Sequence, residues 1–176
     1  SSDLKPEEDA RHSILKLKEN YRHVKQTFYA NSADVDLVAS SINQVFDKLD
    51  QKFIEFETRI ESAEYEEAQA LLPVIDKVVS ALESALSQLP NLCILVNNVV
   101  PDKIAQLKKE YANVESQGLP LYNLQFQNKL NEWERDLEVI KSRLTKLNLT
   151  NIMEGLDALQ SQIEEVRVQL KNEQRD

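Results

Sequence analysis

Residues 89–103 read LPNLCILVNNVVPDK, the most apolar window of an otherwise polar, acidic chain. Prolines stand near both ends, Pro90 and Pro101, and seven of the ten residues between them are apolar. Proline usually closes a helix and opens a loop, yet loops lie at the surface and are rarely this apolar. The longest unbroken apolar run, Leu92 to Val96, is five residues. A membrane-spanning helix needs about 20, so the window reads as something other than an anchor. Whether it is a loop or a helix depends on the organisation around it.

Composition points to helix. The chain has 176 residues but only two glycines, Gly118 and Gly155, which argues against hairpins and tight β-turns. Leu, Glu, Lys, Gln, Ala and Val dominate, a mixture that favours helices. The net charge of −9, with no cluster of Lys and Arg, argues against phosphate and nucleic-acid binding and against attraction to an anionic membrane surface. A single cysteine, Cys93, forms no internal disulfide and suits a reducing compartment. No signal-peptide pattern opens the sequence.

Apolar residues recur at steps of three and four nearly throughout. The first stripe, within residues 6–29, is Leu17, Tyr21, Val24 and Phe28, with Pro6 suited to a first helical turn. Ser32 is a candidate cap for a second helix running to about residue 62 through Val35, Val38, Ile42, Phe46, Leu49, Phe53, Phe56 and Ile60. A third starts near Tyr65 and carries Ala68, Leu72, Ile75, Val79, Leu82 and Leu86. A fourth, 98–117, ends before Gly118, which suits a helix stop, with Pro120 beyond. The fifth, 123–147, and the sixth, from about 150, complete the pattern.

The pattern repeats. Adding 84 to the fourteen apolar positions of the second and third helices lands on Leu119, Tyr122, Phe126, Leu130, Trp133, Leu137, Ile140 and Leu144, then on Ile152, Leu156, Leu159, Ile163, Val166 and Leu170, without a gap. The offset of the first helix is 83 or 90 by periodicity. The likeness of LKENYRHV (17–24) to LKKEYANV (107–114) favours 90, which implies six residues fewer in the second copy's following loop.

The fold expected is all-α: two tandem antiparallel three-helix bundles of spectrin-like type, 6–92 and 93–174, joined by a long shared, proline-kinked helix. In that arrangement the opening window is helical, and Pro90, Leu92, Leu95, Val96, Val99 and Pro101 form an inter-repeat junction together with Ile94 and Val100. Asn91, Asn97 and Asn98 face water or cap freed carbonyls, and Cys93 is inert.

No catalytic, cofactor or metal site emerges. His12 and His23 lie eleven residues apart on one helix, roughly 16 Å along its axis and too far for one metal. The residues three before them, Asp9 and Asn20, do not make the Glu-x-x-His pairs of di-iron bundles. Cys93 has no histidine close in sequence. The carboxylates of EYEEA (64–68) and QIEEV (162–166) follow solvated faces. Trp133 and Tyr122 fall on the core phase and read as packing residues.

Several short motifs, in order, resemble the EzrA family of septation ring formation regulators. FIEFETRIESAEYEEA (53–68) resembles its Phe-x-x-Phe helix followed by a Gly-Asp-Tyr-x-x-Ala turn, with Ala63 and Glu64 in place of the Gly and Asp. LPNL (89–92) and VPDKIAQLKKEY (100–111) resemble its paired prolines followed by Leu-Lys and an aromatic. ESQGLPL (115–121) is similar to its Gln-Gly-Tyr turn, with Leu119 replacing the Tyr. The resemblance implies a non-enzymatic scaffold of spectrin-like repeats, without cofactors, in cell division. Its implied partners are the tubulin-like protein FtsZ and other division proteins. It implies localisation at the cytoplasmic face of the membrane at the septum, with membrane contact only through a transmembrane helix outside these residues. A coiled-coil linker or scaffold of another cytoskeletal system has the same physics.

Leu49 and Trp133 are equivalent positions, each expected to hold its own bundle. Trp133→Ala is therefore expected to cost about 3–5 kcal/mol, as large core truncations do. Hydrogen exchange should quicken over 123–147 well before 35–60; equal loosening of both segments would show one cooperative unit.

Overall fold

A computed structural model describes residues 5–175, and among these every regular element is helical. The α-helices are α1 (Lys5–Ala30), α2 (Ala39–Glu61), α3 (Tyr65–Ile94), α4 (Val100–Ser116), α5 (Phe126–Thr145) and α6 (Ile152–Arg175). The chain divides into two compact units, Ser1–Pro90 and Asn91–Asp176.

In the first unit α1 and α2 run antiparallel, since Lys18 meets Glu57 while Phe28, further along α1, meets Phe46, earlier in α2. Their seam is aromatic. Tyr21 stacks on Phe53 at 5.3 Å and meets Phe46 edge-on, and Phe28 meets Phe46 edge-on. Helix α3 returns alongside α1, where the Gln69 amide donates to the Pro6 carbonyl at 3.1 Å. In the second unit Tyr111 of α4 stacks on Phe126 of α5 at 4.2 Å, and Lys103 of α4 donates to Gln160 of α6. At Gly155 of α6 a Cβ would meet the Ile140 side chain of α5 at 3.4 Å, an ordinary contact, so the two helices pack against each other here.

The 84-residue repeat is visible as burial. Of the twelve pairs from Ile42/Phe126 to Leu86/Leu170, ten are buried in both copies; Leu137 and Leu72 are only partly buried. The turns after α2 and α5 repeat it in their backbones. Ala63 (φ 59°) and Leu147 (φ 60°) are both left-handed. The Glu64 and Asn148 amides bond back to the Arg59 and Arg143 carbonyls, and those of Ala63 and Leu147 to Ile60 and Leu144. This is the Schellman closure, which returns orphan carbonyls to donors and usually places glycine where Ala63 and Leu147 stand.

The repeat loses phase at the other turns. Ser32 does not cap a helix; a 3₁₀ turn, Asp36–Val38, intervenes and α2 starts at Ala39. The matching turn, Tyr122–Leu124, lies 86 residues on, not 84. Buried Val35 and Val38 therefore correspond to buried Leu121 and Leu124. Tyr122, expected in the core, is 79 % exposed. Gln125 in the left-handed region (φ 48°, ψ 46°) then restarts the helix at Phe126, absorbing the two-residue difference. The loop expected to be six residues shorter in the second copy is not: residues 31–35 and 117–121 are equal in length. Gly118, at φ 79°, does stand just past the end of α4.

Helical structure runs unbroken from Tyr65 to Ser116, long and apolar enough by length and composition to cross a membrane. Along it Ile75, Val79, Leu82, Leu86 and Leu89 are buried in the first unit, and Val96, Val100, Ile104 and Leu107 in the second. Gln88, Asn91, Asn97 and Asn98 are exposed between them. That pattern is the core-facing side of an amphipathic helix.

An alanine held left-handed costs about 1 kcal/mol relative to glycine. Ala63 is exposed and has no burial to lose. Ala63→Gly is expected to stabilise the first unit by about 0.5–1 kcal/mol, read from urea unfolding. Destabilisation would show that Ala63 is not strained.

Candidate functional site

The segment from Pro90 to Pro101 is helix, as its stripe requires. Pro90 lies inside α-helical α3. Departure from α geometry falls between the prolines, in a π turn over Leu95–Val99. There the Val100 amide bonds to the Leu95 carbonyl, five residues back instead of four. A proline ring clashes with the carbonyl four residues before it and has no N–H to give. The wide turn precedes Pro101, where an ordinary α turn would press that ring against the Asn97 carbonyl.

Of the expected junction residues, Leu92 and Val96 are buried, with Val100 beside them. Pro90, Leu95, Val99 and Pro101 are partly buried. Ile94 departs from expectation at 47 % exposure, because it lies on the far side of the helix from the Val96–Val100 stripe. Asn91, Asn97 and Asn98 face solvent. Cys93 is a buried free thiol whose pKa is pushed up by burial, the opposite of what a reactive thiolate needs.

Elsewhere the surface is chemically quiet. His23 and His12 line separate grooves between α1 and α3, the first with Asn20, Thr27, Glu83 and Ser87, the second with Lys16 and Asp76. Among the described residues no group of three or more His, Cys, Asp or Glu is placed to hold a metal, and no charged or polar residue is buried. Ion pairs such as Lys18–Glu57 and Lys108–Glu134 are solvent-exposed and stabilise little. The Glu19 and Glu164 carboxyls are held below the usual range chiefly by hydrogen bonds from Arg22 and Arg167 on their own helices. Such an arrangement can pack and present surfaces.

The polar contacts that sequence reasoning missed are structural. The Tyr21 hydroxyl donates to Asp50 Oδ1 at 2.7 Å and lies 3.0 Å from the Phe46 carbonyl. Trp133 Nε1 donates to Gln162 at 3.1 Å. Each core aromatic carries a polar atom that must reach the edge of the core, which was the available clue; which residue waits there was not. Desolvation first, and the Asp50 contact second, push the Tyr21 pKa well above its ordinary 10.0. A raised value means that this group's stabilisation is full below the unfolded pKa and is lost as pH rises beyond it. Tyr21→Phe is expected to cost about 1–2 kcal/mol at neutral pH. Its deficit relative to the unsubstituted chain should shrink above about pH 10 in urea titrations, and a constant deficit would refute the assignment.

Comparison with known proteins matches this sequence to a family. The family model described as septation ring formation regulator, EzrA, matches residues 4–175. The chain is similar to the septation ring formation regulator EzrA of Bacillus licheniformis, with 26 % identity over 95 % of this chain and 30 % of that protein. It is similar to the Bacillus subtilis protein of that name at 25 % identity over 93 % of this chain and 29 % of that protein. The Listeria innocua protein is 19 % identical over 93 % of this chain and 28 % of that protein. The chain thus spans less than a third of these relatives' length. No solved structure matches it. A family match over nearly every residue, on an all-helical chain with repeated stripes, places this chain in the EzrA family.

Proposed function

We propose that this chain is a non-enzymatic scaffold segment of a septation ring formation regulator. In this reading its two units are tandem spectrin-like three-helix repeats, 6–92 and 93–174, that contribute to the control of FtsZ ring assembly at the cytoplasmic face of the division site. The match to the EzrA family over residues 4–175 is the observation that carries it. The chemistry supports it: a core with no buried charge among the described residues, and solvated acidic faces that suit protein partners better than phosphate polymers. The segment Pro90–Pro101 is proposed to act as a helical structural element, with no ligand of its own.

The test is sedimentation of purified FtsZ polymerising with GTP, with and without the chain. The expected result is that the chain enters the polymer pellet or changes the polymer mass in proportion to its concentration. A chain that stays in the supernatant and leaves the polymer mass unchanged counts against this segment as a site of FtsZ control.

A further inference from the structure

The π turn of the second unit has a count as well as a shape. The Val100 amide closes on Leu95, so this turn spans five residues where an α turn spans four. One residue is therefore in excess. The residues facing the core on either side are all buried: Leu92 and Val96 up to the turn, Val100, Ile104 and Leu107 after it. The excess is carried on the outside, where Asn97 and Asn98 are exposed.

The buried spacing changes phase at the same place. In α1, the first helix of the other unit, buried residues run Ala10, Ile14, Leu17, Tyr21, Val24, Phe28, alternating steps of four and three. From Val100 the second unit keeps that alternation through Ile104, Leu107 and buried Val114, with partly buried Tyr111 between the last two. Carried back from Val100, the alternation would bury Asn97; the residue buried is Val96. Carried forward from Leu89, Cys93, Val96 and Val100, it would bury Lys103; the residue buried is Ile104. Two tracks meet at the turn, and neither crosses it unchanged.

We infer that the Leu95–Val99 turn is a one-residue insertion held inside the helix, a register adjuster that lets the helix carry an extra residue without changing which side chains of the second unit are buried. Removing one exposed residue from the turn closes it to an ordinary α turn and leaves Val96, Val100, Ile104 and Leu107 where they are. Removing a residue from regular helix has no such slack. It rotates everything on one side by about 100° and carries core residues to the surface. The proline takes part, because Pro101 would clash with the carbonyl four residues before it once the turn is α.

The experiment uses the whole chain in a Pro101→Ala background, which removes that clash. Asn98 is deleted in one variant and Ala105, exposed in regular α4, in another. Thermal unfolding followed by circular dichroism should place the Asn98 deletion within about 5 °C of its parent, the scale of a change near 1 kcal/mol. The Ala105 deletion should lose the second unit's cooperative transition. Hydrogen exchange over residues 104–114 should be preserved in the first variant and lost in the second. Comparable loss from both deletions overturns the proposal, since the turn would then hold no spare residue. Comparable tolerance of both overturns it too, since the helix would then have slack everywhere. A third comparison separates slack from mere robustness: Pro101→Ala should raise the melting temperature more in the Asn98-deleted chain than in the undeleted one, and an equal effect contradicts closure of the turn.

Discussion

Every helix here depends on one constraint: a single apolar stripe has to leave water, and no helix can remove it alone. Helices such as these, of 17 to 30 residues, take most of their stability from packing an amphipathic face. In both units the stripes close against one another with no charged or polar residue buried among the described residues. Stability then comes from apolar area and close packing, at about 25 cal/mol per Å² removed from water. The exposed ion pairs add little. Directional contacts are few and sit at the edge of the core, where Tyr21 reaches Asp50 and Trp133 reaches Gln162.

The two units meet that constraint with different side chains. The α1–α2 seam joins Tyr21, Phe28, Phe46 and Phe53, whereas the second unit has Tyr111, Phe126 and Trp133. What persists between copies is the spacing of apolar positions and the closure of the turn after the second helix. Identity of residue is secondary, as expected of cores that tolerate substitution when pattern and volume are kept. The family relation shows the same economy: about a quarter identity to the Bacillus proteins along nearly the whole chain.

The helical class, the six segments and ten of twelve core pairs past Ile42 were legible in the sequence, because a period of three and four residues is a local property that burial must obey. The turn closed by Ala63 was legible as a boundary through its family resemblance. That an alanine there is left-handed was not, since residue identity at that position argues for another conformation. Tyr122 was misplaced for a comparable reason. A gapless projection assumes equal turn lengths, and a difference of two residues before Phe126 moves an aromatic from core to solvent.

The sequence by itself determined that these residues form amphipathic helices, where most begin and end, and that the window 89–103 is continuous with them. It also determined that no internal disulfide forms, since Cys93 is the one cysteine. Only the tertiary structure decided how the proline-flanked window is accommodated. Two prolines suggested two kinks; between them the helix widens one turn, with Leu92 and Val96 buried up to it and Val100, Ile104 and Leu107 buried after it. The choice between a kink, a frayed loop and a π turn depends on which side chains must face the core at once, and that demand comes from residues distant in sequence.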